Sequence, residues 1–343
     1  MKIAVFGRTD WLYESAKAAL AKGHRIVLIG TSPAVREYSK KEKDFALLAK
    51  KIKCAYFCDS AINKSKYIDM ARKSCAEIAI SVNWVTRISE EMIKQFPLGI
   101  VNAHGGDLPR FRGSACANWA LIAGENKVVL TLHRMNAELD VGDILLQRRL
   151  NLTPRTYIKD IYDFYSKNIP EMFIKVLDCF ASGKIKPKKQ PSDLSLSLRC
   201  FPRLPRDNKI DWNKDAEFLA RVVRAGAEPF SGAYSFIGPD KFLIWRAHAE
   251  KLPYAHLGIP GQVVEIRKAS GEVTVLTGKD LLVIEEAEFL KKRDRASKII
   301  HSVRLRLGMD IEDELIRLSR EISELRLLIT KYQQSFYFKK NRK

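Results

Sequence analysis

Apolar and polar positions along the chain change period several times, and each change marks an element. Residues 2–7, Lys-Ile-Ala-Val-Phe-Gly, are a short apolar run ending in a turn. Trp11–Lys22 carries apolar residues at helical spacing, Gly23 stops it, and Arg25–Ile29 is apolar again. This strand–helix–strand opening predicts a parallel sheet with covering helices. Ala34–Lys53 is lysine-rich and predicts a helix. Ala79–Val82 predicts a buried strand, Asn83–Arg87 a loop at its carboxyl end, Ser89 and Glu90 the opening of a helix to about Phe96, and Leu98–Asn102 another strand. Loops at the carboxyl ends of parallel strands are where such sheets bind ligands.

The stretch Lys184–Asp193, Lys-Ile-Lys-Pro-Lys-Lys-Gln-Pro-Ser-Asp, predicts a linker. Beyond it, Gly232–Ile237, Phe242–Ala247, Gln262–Ile266, Val273–Thr277 and Leu281–Ile284 are short runs between turns, which predict a small barrel. The last 50 residues read as helical. Ile311, Leu315, Leu318, Ile322, Leu325, Ile329 and Tyr332 follow a 4-3-4-3-4-3 spacing, a heptad seam that suits self-association or packing on the helix's own domain. Phe338–Lys343 reads as a frayed basic tail. The expected fold class is α/β, with a parallel-rich sheet, a β-barrel and a C-terminal helix. The expected divisions are 1–190, 200–290 and 293–343.

Lys and Arg number 60 against 40 Asp and Glu, a formal charge of +20. This suits an anionic partner such as nucleic acid or a phosphorylated metabolite, or reflects a solubilising surface. The start, Met-Lys-Ile-Ala-Val-Phe-Gly, predicts no secretory leader and hence a cytoplasmic protein. No stretch approaches a membrane span. Cys54, Cys58, Cys75, Cys116, Cys179 and Cys200 are scattered, read as reduced thiols, and suggest no metal site. The first turn, Gly7-Arg8-Thr9-Asp10, lacks the glycine pattern of a dinucleotide fold.

The chemistry concentrates in Asn102-Ala-His104-Gly-Gly-Asp-Leu-Pro109-Arg-Phe-Arg112-Gly113, followed by Trp119–Glu125, Thr131-Leu-His133 and Leu139-Asp140-Val-Gly142-Asp143. Asn102 and His104 are two apart at a strand end, so both side chains can share a face. Gly105 and Gly106 would let the backbone approach a flat ligand. An Asn that donates to an oxyanion, a His that moves a proton and an Asp that orients it suit direct acyl or formyl transfer. No serine or cysteine is placed as a nucleophile. The alternative is a strand-end hydrogen-bonding pair with a turn-capping aspartate.

This segment resembles the signature of the N10-formyltetrahydrofolate-dependent formyltransferases: Asn-x-His, a Leu-Pro-x-aromatic-Arg-Gly turn, a Trp-Ala-x-x-x-Gly-Glu helix, Thr-x-His and Asp-x-Gly-Asp, all in order. Asp211-Trp212, Val222–Ala225, Gly232–Phe236 and Pro260–Val264 resemble the family's C-terminal, OB-like barrel. The resemblance covers about residues 1–290 and implies a Rossmann-like catalytic domain. It implies catalysis by Asn102, His104 and Asp140. It also implies folate contacts from Thr86, Arg87, Ile88, Gly106, Leu108, Pro109, Ser114 and Asn136, and acceptor contacts from Arg112 and Trp119. Bracing its own turn is an equal alternative for Arg112, Trp84 and Trp119 read as core packing groups before stacking groups, and His133 reads as a satisfied core histidine.

Within the family the chain looks most like the enzymes acting on nucleotide-linked amino sugars for cell-surface polysaccharide, with N10-formyltetrahydrofolate as co-substrate. The rival reading is a methionyl-tRNA formyltransferase, but Ser32–Lys41 lacks the basic glycine loop usual in that branch. A glycinamide-ribonucleotide formyltransferase would not need the second domain. A non-enzymatic RNA-binding protein is a further alternative. The seam suggests a homodimer. Three positions depart from the pattern: Gly106-Asp107 replaces Ser-Leu, Val129 replaces a glycine, and Val141 replaces Thr or Ala.

Overall fold

The computed structural model describes residues 1–35, 38–309 and 311–340. Its strands are β1 (Lys2–Gly7), β2 (Arg25–Thr31), β3 (Ala55–Cys58), β4 (Ile78–Val82), β5 (Ile100–His104), β6 (Arg112–Gly113), β7 (Lys127–Arg134), β8 (Ile144–Asn151), β9 (Arg199–Cys200), β10 (Ala233–Ile237), β11 (Asp240–Glu250), β12 (Val263–Arg267), β13 (Glu272–Leu276), β14 (Leu281–Phe289) and β15 (Lys292–Arg295). Its helices are α1 (Asp10–Ala21), α2 (Glu42–Ile52), α3 (Ser65–Ser74), α4 (Glu90–Ile93), α5 (Cys116–Ala123), α6 (Ile158–Ala181), α7 (Ala216–Gly226) and α8 (Ile311–Lys340).

The chain divides into two compact units. One holds residues 1–208 and 221–231, the other 209–220 and 232–343. The expected division near residues 190–200 is therefore displaced. The segment 191–208 belongs with the first unit, and the chain crosses between units within α7.

In the first unit a seven-stranded sheet runs β3-β2-β1-β4-β5-β7-β8. The five strands from β3 to β5 pair in parallel, and β7 and β8 add antiparallel. Strand order reverses at β1 and β4, so the loops after these strands diverge and leave a crevice at their carboxyl ends. β1 and β4 are buried on both faces, as parallel strands covered by helices must be. Phe6, Phe57, Ile62, Met92 and Phe96 build the core on one side. On the other side α6 buries Ile161, Tyr165, Ile169, Met172, Phe173 and Val176, a helical stripe, and packs against α1.

In the second unit β10-β11-β14-β13-β12 form an antiparallel sheet, with β15 paired to β14. Phe242, Ile244, Val273, Val275, Leu282 and Ile284 are fully buried beneath it. Trp212 donates through Nε1 to Ser235 Oγ at 2.9 Å, which satisfies the indole's one polar atom.

Several expectations change. The helix expected over Ala34–Lys53 spans only Glu42–Ile52, and Arg36 and Glu37 lie outside the described residues. The helical tail does not begin at 293. Lys292–Arg295, charged at every position, is an edge strand, and the helix starts at Ile311. Cross-strand pairing of Glu286 with Arg295 and Glu288 with Arg293 gives those charges partners that no periodicity signals. The basic tail reads as helix to Lys340, and residues 341–343 lie outside the described residues.

Candidate active site

β5 carries Asn102 and His104 on one face, while Val101 and Ala103 point to the other. Antiparallel pairing with β7 sets His133 opposite Asn102 and Thr131 opposite His104. The turn after β7 brings Asp140 back over them. Asp140 has φ 55°, a left-handed conformation that Asp tolerates better than most residues. Two residues on, a Cβ at Gly142 would stand 1.9 Å from the Arg134 carbonyl oxygen, so the tight return requires glycine there.

The three residues expected to be catalytic meet. His104 Nδ1 lies 3.7 Å from Asp140 Oδ2, and its Nε2 donates to the Phe111 carbonyl at 2.6 Å. Asp140 Oδ2 also accepts the Gly113 amide at 2.9 Å, while Oδ1 lies 3.6 Å from His133 Nε2. His104 is 7% exposed, Asp140 9% and His133 1%. His133 is held well below the ordinary histidine value, at about 4, chiefly by burial and then by the charge of His104. A neutral His133 that donates from Nδ1 to the Arg134 carbonyl (2.8 Å) keeps a lone pair on Nε2. That lone pair accepts from Asn102 Nδ2 at 3.2 Å. One amide hydrogen of Asn102 is thereby fixed, and the second is left to face the pocket.

A pocket of about 400 Å³ opens over this cluster. Asn102, His104 and Asp140 line it, as do Thr86, Arg87, Ile88, Ser114 and Asn136 among the residues expected to touch a cofactor. The first wall is braced by Asn63, whose side chain donates to the Arg87 carbonyl and accepts from the Ser89 amide, and by Thr86, which donates to the Ser60 carbonyl. The opposite wall is turned by Asn136, which accepts the Glu138 amide.

Gly106, Leu108, Pro109 and Trp119 do not line it. A Cβ on Gly106 would fall 2.1 Å from the Phe111 carbonyl oxygen and 2.4 Å from His104 Nε2, and one on Gly105 would meet Tyr165 Oη at 2.7 Å. Gly106 serves close packing of the chain on itself, whereas Gly105 packs against Tyr165 and also lines the pocket. Leu108 is buried in the turn. Trp119 donates to the Phe201 carbonyl at 2.8 Å and lies under the Arg203 guanidinium, a packing role. Asp107, one of the departures from the family pattern, pairs with Lys127 at 3.2 Å.

Two contributors have no strong sequence signal. Gln190, inside the stretch expected to be a linker, donates to the carbonyls of Asp140 (2.9 Å) and Gly142 (2.7 Å) and accepts from Arg112 (2.9 Å). Cys116 sits 3.7 Å from His104 Nε2 and donates to the Phe111 carbonyl at 3.2 Å. Arg112 lines an adjoining hollow rather than the main pocket. Among the described residues no helix is long and apolar enough to cross a membrane.

Three solved structures share this architecture. HypX from Aquifex aeolicus, in complex with tetrahydrofolic acid, matches with a TM-score of 0.55 at 19% identity, over 88% of this chain and 47% of that one. The chain thus spans about half the length of HypX. An N-formyltransferase from Helicobacter canadensis, in complex with folinic acid and dTDP-3-aminofucose, matches with a TM-score of 0.59 at 14% identity, over 83% and 98%. Methionyl-tRNA formyltransferase from Clostridium thermocellum matches with a TM-score of 0.52 at 18% identity, over 73% and 94%. At such identities the likeness speaks for the fold alone. Family models are more specific: the formyl transferase domain matches residues 1–177 and the formyl transferase C-terminal domain residues 204–303. The chain belongs to the formyl transferase family.

Proposed function

We propose that the enzyme transfers the formyl group of N10-formyltetrahydrofolate to the amine of a nucleotide-linked amino sugar. The observation that carries this reading is the Asn102–His104–Asp140 cluster, its His and Asp buried, at the floor of a pocket whose walls are two braced loops, Thr86–Ile88 and Asn136–Asp140. A flat pterin suits the space between those loops. The folate-bound neighbours and the sugar complex support the choice of co-substrate and acceptor.

The acceptor amine attacks the formyl carbon, a new C–N bond forms, and the carbonyl oxygen becomes an oxyanion. The free hydrogen of the Asn102 amide donates to that oxyanion, a contact worth about 3 kcal/mol in comparable sites. The bond to the folate N10 then breaks, and the amine's proton ends on that nitrogen. His104 carries the proton. Its bond to the Phe111 carbonyl must be exchanged for the substrate, as catalytic hydrogen bonds often are when ligand binds. Asp140 faces the imidazole at 3.7 Å and orients it.

Turnover of N10-formyltetrahydrofolate with a panel of UDP- and dTDP-linked 3-amino and 4-amino sugars tests this. Turnover on initiator methionyl-tRNA alone would move the activity to the rival branch. The charge of +20 favours that second reading, and a steep loss of tRNA binding with salt would support it.

The enzyme works as a homodimer in this proposal, joined through α8. Its seam residues, Ile311 to Tyr332, are between 40 and 76% exposed, so the helix does not pack this face on its own unit. Ile322 and Leu325 fall at a and d positions in the order that favours two parallel strands. In that register Glu321 (g) of one copy lies beside Arg326 (e) of the other, an opposite-charge pair made twice.

A further inference from the structure

Beside the pocket lies a second hollow of about 460 Å³, lined by Arg87, Arg112 and Arg199 with Glu138 as its one carboxylate. Arg112 and Arg199 are register partners on the paired parallel strands β6 and β9. Like charges set opposite one another across strands destabilise a sheet. Arg112 is only 7% exposed, its Nε has no partner, and its one hydrogen bond goes to neutral Gln190. Among the described residues none of the three arginines forms an ion pair with a carboxylate, although salt bridges are frequent elsewhere. A buried guanidinium without a counter-charge costs stability that a fold has no reason to accept unless a ligand supplies the charge.

We infer that Arg87, Arg112 and Arg199 form an anion subsite beside the transfer centre, which takes a ligand group with several charged terminal oxygens. Planar guanidinium forks bind such groups two oxygens at a time. Two sources carry that chemistry: the diphosphate of a nucleotide-linked acceptor, or the glutamyl carboxylates of a folate. The choice of these two sources rests on the function proposed above, whereas anion binding itself does not. The hollow and the main pocket share Arg87, Glu138, Leu139 and Arg199, so one molecule can reach both. The subsite would therefore hold the remote end of a substrate whose reactive end lies over His104, and binding energy gained there can position the reacting atoms.

Calorimetric titration of the full chain at low salt tests the inference. The probes are inorganic pyrophosphate, UDP, dTDP, 5-formyltetrahydrofolate, and its pteroyl analogue without glutamate. Arg199→Gln is the main variant because Arg199 is exposed, so its loss should leave the fold intact. Arg112→Gln is the second. Wild type should bind at least one anionic probe, and Arg199→Gln should weaken that binding about tenfold or more, the scale of a charge-assisted contact. Without ligand, Arg199→Gln should melt at the wild-type temperature or above it, because the opposed charge is gone. A loss with pyrophosphate and the nucleoside diphosphates assigns the diphosphate. A loss with the glutamyl folate that the pteroyl analogue does not show assigns the carboxylates. If wild type binds no probe, if both variants bind every probe within twofold of wild type, or if Arg199→Gln melts well below wild type, the inference fails. Pyrophosphate binding with no turnover on any amino sugar would instead sink the proposed function and leave the subsite standing.

Discussion

The end of β5 and the outer face of α8 break the usual placement of side chains in opposite directions. At β5, Asn102, His104, His133 and Asp140 are polar and largely enclosed; along α8, Ile311, Leu315, Ile322 and Ile329 are apolar and open to water. Neither arrangement favours the isolated chain. Enclosed polar groups must find partners, and exposed aliphatic ones forgo about 1.5–3 kcal/mol each that burial would return. The cluster at β5 meets its conflict largely from within: each of the four side chains has a hydrogen-bond partner in the unit. The seam of α8 has no internal resolution. Under the proposed function the first conflict serves chemistry on a small molecule, and the second serves a contact with another chain.

The largest effect should come from breaking the cluster. His104→Ala and Asn102→Ala should each lower formyl transfer at least about a hundredfold, the scale of a lost acid–base group or oxyanion donor. Circular dichroism and melting should stay near wild type, since neither replacement adds bulk. Near-normal turnover by the His104 variant would remove it from the mechanism and leave β5 as a structural pairing.

Breaking the seam should leave turnover per site unchanged and alter assembly instead. Ile322→Lys with Leu325→Lys sets four like charges at the centre of the two-stranded interface. Sedimentation should then show a monomer where wild type is a dimer, with the dissociation constant raised at least about a hundredfold. A monomeric wild type would sink the coiled coil. A trimer or tetramer would show that Leu328, exposed at a g position, widens the apolar face beyond what two strands cover.

A third replacement tests how tightly the cluster is built. Gly106→Ala places a methyl group against both the Phe111 carbonyl and His104 Nε2. It should cost about 2 kcal/mol or more in urea unfolding and should lower turnover as well, because His104 cannot keep its ring position. Unchanged unfolding would mean that the Asp107–Phe111 turn yields easily.

The two regions also differ in how much of them can be read from the sequence. Asn102 and His104 share a strand end two residues apart, and the seam repeats within one helix, so local spacing carries both. Gln190 braces the Asp140 turn from 50 residues away, and Arg199 stands beside Arg112 because β9 pairs with β6 across 87 residues; neither relation leaves a local trace. Gly106 misleads for the same reason. Without Phe111 in view it reads as space kept for a ligand, whereas the chain itself fills that space, and only Gly105 lines the pocket. Lys292–Arg295 is passed over as a strand because all its support comes from β14, and charged residues carry no apolar alternation.

The last expected effect is spread over a pH range and concerns His133, the member of the cluster with no proton-transfer role in the proposal. Its folded value of about 4 lies below the ordinary 6.5. The unfolded chain therefore takes up a proton at this residue in a pH range where the folded chain does not. Stability should be level above about pH 6.5 and should fall as the pH drops from there toward 4, by about 1.4 kcal/mol per unit. His133→Gln removes the titrating group, so the difference in unfolding free energy between wild type and variant should shrink over that window. Turnover by folded wild type should hold through this window as far as His133 is concerned and should fall only as the pH approaches 4, where the folded residue itself takes up a proton. A protonated His133 carries a hydrogen on Nε2, can no longer accept from Asn102, and lets go of the amide aimed at the oxyanion. If the stability difference between the two proteins is flat from pH 7 to 4.5, His133 exchanges protons as a solvated histidine would. The orientation of Asn102 would then rest on the pairing of β5 and β7 alone.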